Sequence, residues 1–154
     1  MKENKMKKTV ITLVCLVFSS VLIAKDRLEI YEDYDVGKEV MVITTVKVDP
    51  NMGDIYLAGL SQSWVKAVKI QKELGFIKDW KIYGSDLPMS GDFNMLLVVT
   101  MASGSDMEPS KAKYEAFMKK WSESDEQMSN EISAKYPEVR TLTGEYHMRE
   151  IMMK

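Results

Sequence analysis

The segment from Glu39 to Val48 is a short, mostly apolar run rich in β-branched residues, which is typical of a buried β-strand. Successive side chains of a strand point to opposite faces. One face of this strand then carries four valines, and the other carries Met41, Ile43 and Thr45. Because both sets are largely apolar, the pattern predicts a strand that is covered on both sides.

A long amphipathic helix is predicted from Asp54 to Leu74. Pro50 ends the strand before it, since proline cannot donate to a β-ladder. Gly75 is a natural helix terminator. The apolar stripe at helical spacing consists of Leu57, Leu60, Trp64, Ala67, Val68 and Leu74.

The rest of the chain repeats this arrangement. Residues 76–83 alternate like a strand, residues 84–92 are rich in turn formers, and residues 93–101 form a strongly apolar strand. Helical spacing follows Pro109, pauses at a new cap around Ser122, and ends at Pro137. Residues 143–153 again alternate like a strand.

The predicted order of strand, helix, strand, strand, helix, strand is the split βαβ, or ferredoxin-like, arrangement. It predicts an α+β domain in which both helices cover one face of a four-stranded antiparallel sheet. The second apolar face of the first strand then lacks a cover. An apolar patch of that size is typical of an interface, so we expect a twofold homodimer with facing sheets.

The chain resembles the dimeric α/β-barrel superfamily, which includes antibiotic-biosynthesis monooxygenase-like and NIPSNAP-like domains. The resemblance covers roughly residues 39–153 and rests on strand order and three segments, VKVDPNMGDIYLAGL, LGFIKDWKIY and GEYHMREI. It implies a barrel closed by two chains, and its members include cofactor-free oxygenases, isomerase-like proteins and proteins of unassigned role. Haem-degrading members use a histidine in the second helix, and residues 109–136 contain none here.

The N-terminus has the pattern of a secretory signal peptide. Basic residues precede the apolar run Thr9–Ala24, which is short for a membrane span. We therefore predict a signal peptide at residues 1–24, a leader at 25–38 and one domain at 39–154, in a periplasmic or extracellular protein. An uncleaved N-terminal anchor is the alternative; after cleavage we expect no stable membrane association.

Charge and cysteine content narrow the function further. The chain has a net charge of −2, and residues 1–24 hold four Lys and one Glu, so the remainder carries −5. This mild acidity argues against nucleic acid as a partner. The single cysteine, Cys15, lies in the predicted signal peptide, so the exported part would form no disulfide.

His147 is the one histidine and the candidate catalytic base. On an alternating strand it shares a face with Glu145 and Arg149, and an imidazole between a carboxylate and a guanidinium can have a tuned pKa. In an enzymatic interpretation His147 removes a proton, while Tyr83 and Arg149 position the substrate. The simpler interpretation is a solvated ladder of charges on an edge strand.

Further candidate ligand contacts lie on the first two strands. Thr45 and Lys47 share the second face of the first strand, and Tyr83 lies on the next strand with Asp79 and Lys81. A few polar groups in an apolar pocket are typical of a small-molecule site. Trp80 is another candidate contact, although core packing is its simpler role.

Methionine is abundant, with 13 residues in the chain. Thioethers can bind Cu(I), and His147, Met148, Met152 and Met153 are the best local cluster. Because the methionines are scattered and many occupy core positions, packing is the favoured explanation. We predict no metal and no cofactor. The expected function is binding of a small apolar or mixed-polarity ligand between two facing sheets; the alternatives are a cofactor-independent oxygenase- or isomerase-like enzyme and a structural or interaction module.

Overall fold

The computed structural model describes residues 27–87 and 91–154, so the predicted signal peptide at residues 1–24 lies outside the described part. The described elements, in chain order, are β1 (Tyr34–Val36), β2 (Val40–Val48), α1 (Gly53–Gln62), α2 (Trp64–Glu73), β3 (Asp79–Gly84), β4 (Met95–Met101), α3 (Lys111–Met118), α4 (Glu123–Lys135), β5 (Arg140–Met148) and β6 (Ile151–Met153). Short 3-10 turns occupy Gly104–Met107 and Tyr136–Glu138.

The main sheet has four strands in the order β3-β4-β2-β5, and every neighbouring pair is antiparallel. The α+β prediction with a four-stranded antiparallel sheet is therefore confirmed, and the strand order is compatible with a ferredoxin-like fold. The two most apolar strands, β2 and β4, lie at the centre, where both edges of each strand are paired.

The core lies between one face of this sheet and the helices. Tyr56 and Leu60 of α1 pack against Val46 and Val48 of β2, and Tyr136 completes the same cluster. These β2 residues belong to the four-valine face, as alternation predicted. The helices therefore leave the opposite face of the sheet, with Met41, Ile43 and Thr45, without a helical cover.

The predicted single helix from Asp54 to Leu74 is two helices, separated at Ser63. The backbone of Ser63 has φ −116° and ψ −91°, outside the helical region. Its hydroxyl bonds to the carbonyl of Gly59 at 2.9 Å and to the hydroxyl of Tyr136 at 2.6 Å. Such back-bonding by serine bends helices, and here the distant tyrosine also holds the break in place.

Within α1, before the break, the buried face differs from the predicted stripe. Leu57 is 40% exposed, whereas its neighbour Tyr56 is 1% exposed and lies in the core. At the other end, Gly75 terminates α2 with φ +72°, and the amide of Phe76 bonds to the carbonyl of Gln71 at 2.9 Å. This is the left-handed helix ending that glycine favours, as the sequence predicted.

The predicted leader contributes a strand of its own. Within it, β1 pairs antiparallel with β6, so the predicted last strand is two strands, and β6 belongs to a separate two-stranded sheet. The backbone amide of Lys154 bonds to the carbonyl of Asp33 at 3.0 Å, and its Nζ lies 3.1 Å from a carboxylate oxygen of Asp35. The described start of the chain is thus joined to its C-terminus.

Candidate functional site

The face of the sheet that points away from the helices is the candidate site, which we call the open face. Its centre is apolar because β2 supplies Met41 and Ile43, and β4 supplies Leu96 and Val98. In register, Ile43 lies opposite Val98, so these side chains are adjacent on one face. The edge strands add Tyr83 on β3 and Tyr146 on β5, which are 49% and 48% exposed.

Thr45, a predicted ligand contact, lies on the open face but uses its hydroxyl within the protein. It donates to the carbonyl of Gly144 at 3.2 Å and accepts from the hydroxyl of Thr143 at 2.8 Å. The register between β2 and β5 shifts at this point, which makes Thr143 the extra residue of a β-bulge. Only 4% of Thr45 is exposed, so it stabilises the bulge and has no free hydroxyl for a ligand.

Gly144 is required beside this bulge by the packing of Tyr146. A Cβ atom at Gly144 would lie 3.0 Å from ring atoms of Tyr146 and 3.1 Å from the hydroxyl oxygen of Thr45. A ring carbon and the hydroxyl oxygen of Tyr146 therefore lie over the glycine, on the open face. Tyr146 was not among the predicted site residues. Alternation placed it on the face opposite His147, but alternation alone does not say which face the helices cover.

Lys47 and Tyr83 also lie on the open face, toward one end of the sheet. The ammonium of Lys47 donates to the carbonyl of Gly91 at 2.8 Å and thereby holds the loop before β4. Tyr83 pairs with Leu96 in register and projects an exposed phenol from the edge strand. Tyr83 is thus the predicted contact that remains available to a ligand on this face.

Asp79 begins β3 at the opposite end of the open face. A hydrogen bond from Lys72, with an oxygen–nitrogen distance of 2.7 Å, lowers the pKa of the Asp79 carboxyl, and the backbone amide of Trp80 acts in the same direction. The carboxylate is therefore ionised and paired, and it is not suited to act as a general acid near neutral pH.

The remaining predicted site residues do not join this group. His147 and Glu145 lie opposite Val42 and Thr44 in register, so they are on the helix side of β5, and both are exposed. Trp80 is also on the helix side, where its ring meets Trp64 edge to face at 5.8 Å. The predicted catalytic base and Tyr83 thus lie on opposite faces of the sheet.

Arg149 follows β5 and has a bonding pattern that joins chain segments. Its Nη1 donates to the carbonyl of Lys38 at 2.7 Å and to that of Gly37 at 3.2 Å. A Cβ atom at Gly104 would lie 2.7 Å from its Nη2, so the guanidinium also rests against the turn after β4. Arg149 thus joins the segment between β1 and β2 to the turn after β4.

The described residues contain no group of three His, Cys, Asp or Glu side chains arranged to hold a metal ion. None of the helices in residues 27–87 and 91–154 is long and apolar enough to cross a bilayer. No family model matches this chain, and neither the curated proteins nor the solved structures contain a significant match to it.

Proposed function

We propose that this chain is an exported small-molecule-binding protein that works as a homodimer, with two open faces opposed and a mainly apolar ligand held between them. The observation that carries the proposal is the open face itself. Its central strands present Met41, Ile43, Leu96 and Val98, and no described helix covers them. On this face Val98 is 6% exposed and the other three are half-buried. An apolar sheet face without a helical cover is typical of an interface or a ligand-binding surface.

The size of the open face sets the expected strength of the dimer. Four strands spaced about 4.8 Å apart, each with about seven residues at about 3.4 Å per residue, span about 450 Å² per chain. Specific interfaces usually bury about 800 Å² per partner. We therefore expect a dimer that dissociates on dilution and that a ligand between the sheets stabilises by mass action.

The polar groups that remain available define the ligand. Thr45 and Lys47 are bonded within the protein, which leaves the exposed phenols of Tyr83 and Tyr146 at the two edges of the open face and the exposed Lys81 opposite Val98. A phenol both donates and accepts hydrogen bonds. The expected ligand is thus a flat or elongated molecule with an apolar body and hydrogen-bonding groups near its ends, at least one of them an acceptor for Lys81.

The arrangement of His147 gives less support to the enzymatic alternative. A general base needs to be near its substrate in a site that excludes water, and His147 is exposed on the other face from Tyr83. The resemblance to the dimeric α/β-barrel superfamily belongs to the same proposal, and the strand order β3-β4-β2-β5 supports it.

The first test is native mass spectrometry of the protein purified after export from a host that expresses the full chain. We expect a mass that starts after Ala24, a monomer–dimer mixture that shifts with concentration, and additional mass from a retained ligand. A monomer at every concentration up to the high micromolar range would contradict the dimer. A dimer that forms with no ligand retained after purification and none added would favour a structural or interaction module over a small-molecule-binding protein.

A matched pair of variants locates the interface. Leu96→Glu places a charge at the centre of the open face and is expected to abolish the dimer, since a buried unpaired carboxylate is costly. Leu57→Glu makes the same change at an exposed position on α1 and is expected to leave the dimer unchanged. Sedimentation velocity reads the oligomer, and circular dichroism confirms that both variants fold. If Leu96→Glu remains dimeric, the open face is not the interface.

A further inference from the structure

Arg140 has an unusual environment on the helix side of the sheet. It begins β5 opposite Val48, and its Nε is the one buried side-chain nitrogen or oxygen in the described residues without a hydrogen-bond partner. It forms no ion pair with any carboxylate of residues 27–87 and 91–154. Buried polar atoms in native proteins are nearly always paired, so this donor requires an explanation.

Two aromatic rings hold the guanidinium in place. Its central carbon lies 5.0 Å from the ring centroid of Tyr136 and 6.0 Å from that of Tyr56. The two rings contact each other edge to face at 5.1 Å. Cation–π attraction offsets part of the cost of removing the charge from water, but the buried Nε–H still lacks an acceptor.

A pocket of about 410 Å³ adjoins this guanidinium. It lies between the α1–α2 break, helix α4 and the sheet. Its apolar wall includes Trp64 and Leu142, and α4 contributes the hydroxyls of Ser129 and Ser133. The volume is within the range of small-molecule sites, and the lining has the usual composition of such sites, mainly apolar with a few polar groups.

We propose that this pocket binds a small organic carboxylate with an apolar body, and that the guanidinium of Arg140 donates to the carboxylate. A carboxylate accepts two parallel hydrogen bonds from a guanidinium fork, which neutralises the charge beside the unpaired Nε. The aromatic and aliphatic wall then contacts the body of the ligand. This site lies on the helix side of the sheet, so it does not depend on the dimer through the open face.

The probes are benzoate and hexanoate, with benzamide as the neutral analogue of benzoate. The Nε–H resonance of Arg140 is followed by two-dimensional NMR of the ¹⁵N-labelled protein. We expect both carboxylates to move this resonance saturably, and benzamide to bind about tenfold more weakly or worse, because it lacks the charge-assisted bonds. Inorganic phosphate carries charge without an apolar body; if it binds as tightly as benzoate, the ligand class is wrong.

Two variants test the charge of Arg140 and the volume of the pocket one at a time, and a third variant is the control. Arg140→Met removes the charge but keeps an apolar side chain, and is expected to reduce benzoate affinity by about tenfold or more while the protein stays folded. Ser129→Trp keeps Arg140 and fills the pocket, and is expected to abolish binding. Arg27→Met makes the first change at an exposed residue and is expected to have no effect.

The outcomes decide the proposal directly. Calorimetric titration that gives equal benzoate affinity for the unchanged protein and Arg140→Met would overturn it. The same conclusion follows if the Nε–H resonance does not move at saturating benzoate and hexanoate. Leu96→Glu leaves this pocket intact. If that variant loses the dimer but still binds benzoate, the carboxylate site and the dimer interface are independent of each other.

Discussion

The hydrogen bond between Tyr136 and Ser63 should stabilise the break between α1 and α2. The single hydroxyl proton of Ser63 is used for the carbonyl of Gly59, so the proton between Ser63 and Tyr136 belongs to the phenol. Both residues are buried, with 3% and 8% of their surfaces exposed. Tyr136→Phe removes this donor and preserves the ring contacts with Tyr56 and Arg140.

The structure sets different costs for the two ends of this bond. Tyr136→Phe leaves Ser63 bonded to Gly59, so we expect a loss of about 1 kcal/mol in the free energy of unfolding. Ser63→Ala leaves the buried phenol without its acceptor, which costs about 2 kcal/mol before any gain in helix propensity. In the double variant neither partner is left unpaired, so the two losses should not add, and the coupling energy should be about 1 kcal/mol.

Urea denaturation of the four proteins in this double-mutant cycle measures the coupling. Each 1 kcal/mol corresponds to a shift of about 4 °C in the melting temperature of a domain of this size. Tyr114→Phe is the matched control, because Tyr114 is 64% exposed, and it should change stability by less than about 0.5 kcal/mol. The reasoning fails if the single losses simply add, or if Tyr136→Phe is as stable as the control.

Two further variants test the core. Leu60→Ala should cost about 3 kcal/mol because Leu60 is almost fully buried, whereas Leu57→Ala, on the same predicted stripe, should cost less than about 1 kcal/mol. Equal losses in chemical denaturation would contradict this difference in burial between Leu60 and Leu57. Burial raises the pKa of Tyr56 above its ordinary 10.0, although the charge of Arg140 opposes this shift. The unfolded chain therefore releases this proton first, so stability is retained below pH 10.0 and falls above it. Tyr56→Phe should show a smaller alkaline loss in denaturation midpoints, and an unchanged loss would assign it to other groups.

Much of the fold followed from local patterns. The alternation of β2, the apolar run of β4 and the glycine after α2 each depend on residues that are close in sequence, and the structure has all three. The same holds for the cap at Ser122, which accepts a hydrogen bond from the backbone amide of Asp125 at 3.2 Å. Such features are set by the spacing of side chains along one segment.

The errors arose where a partner distant in sequence decided the outcome. Helical spacing continues through Ser63, and the residue that holds the break, Tyr136, is 73 positions away. The pairing of β1 with β6 joins the two ends of the described chain, and three-residue strands have little pattern of their own. A short strand is stabilised by its partner, so its own sequence does not predict it.

The candidate site shows the same division. Alternation correctly grouped Glu145 with His147, and Thr45 with Lys47, but it could not say which group faced the helices. The structure places the histidine on the helix side and gives the hydroxyl of Thr45 to a bulge. It also surrounds Arg140 with Tyr56 and Tyr136, which no sequence motif indicated.

The sequence by itself therefore determined the four strands of the main sheet, the helical regions between them, their order and the apolar character of both faces of β2, because these depend on periodicity within one segment. Only the tertiary structure decided which face remains open, which polar groups remain available and where a buried guanidinium N–H lies without a hydrogen-bond partner. Those properties depend on contacts between segments far apart in the chain, and the free energy of desolvation and pairing is set only when the segments pack together.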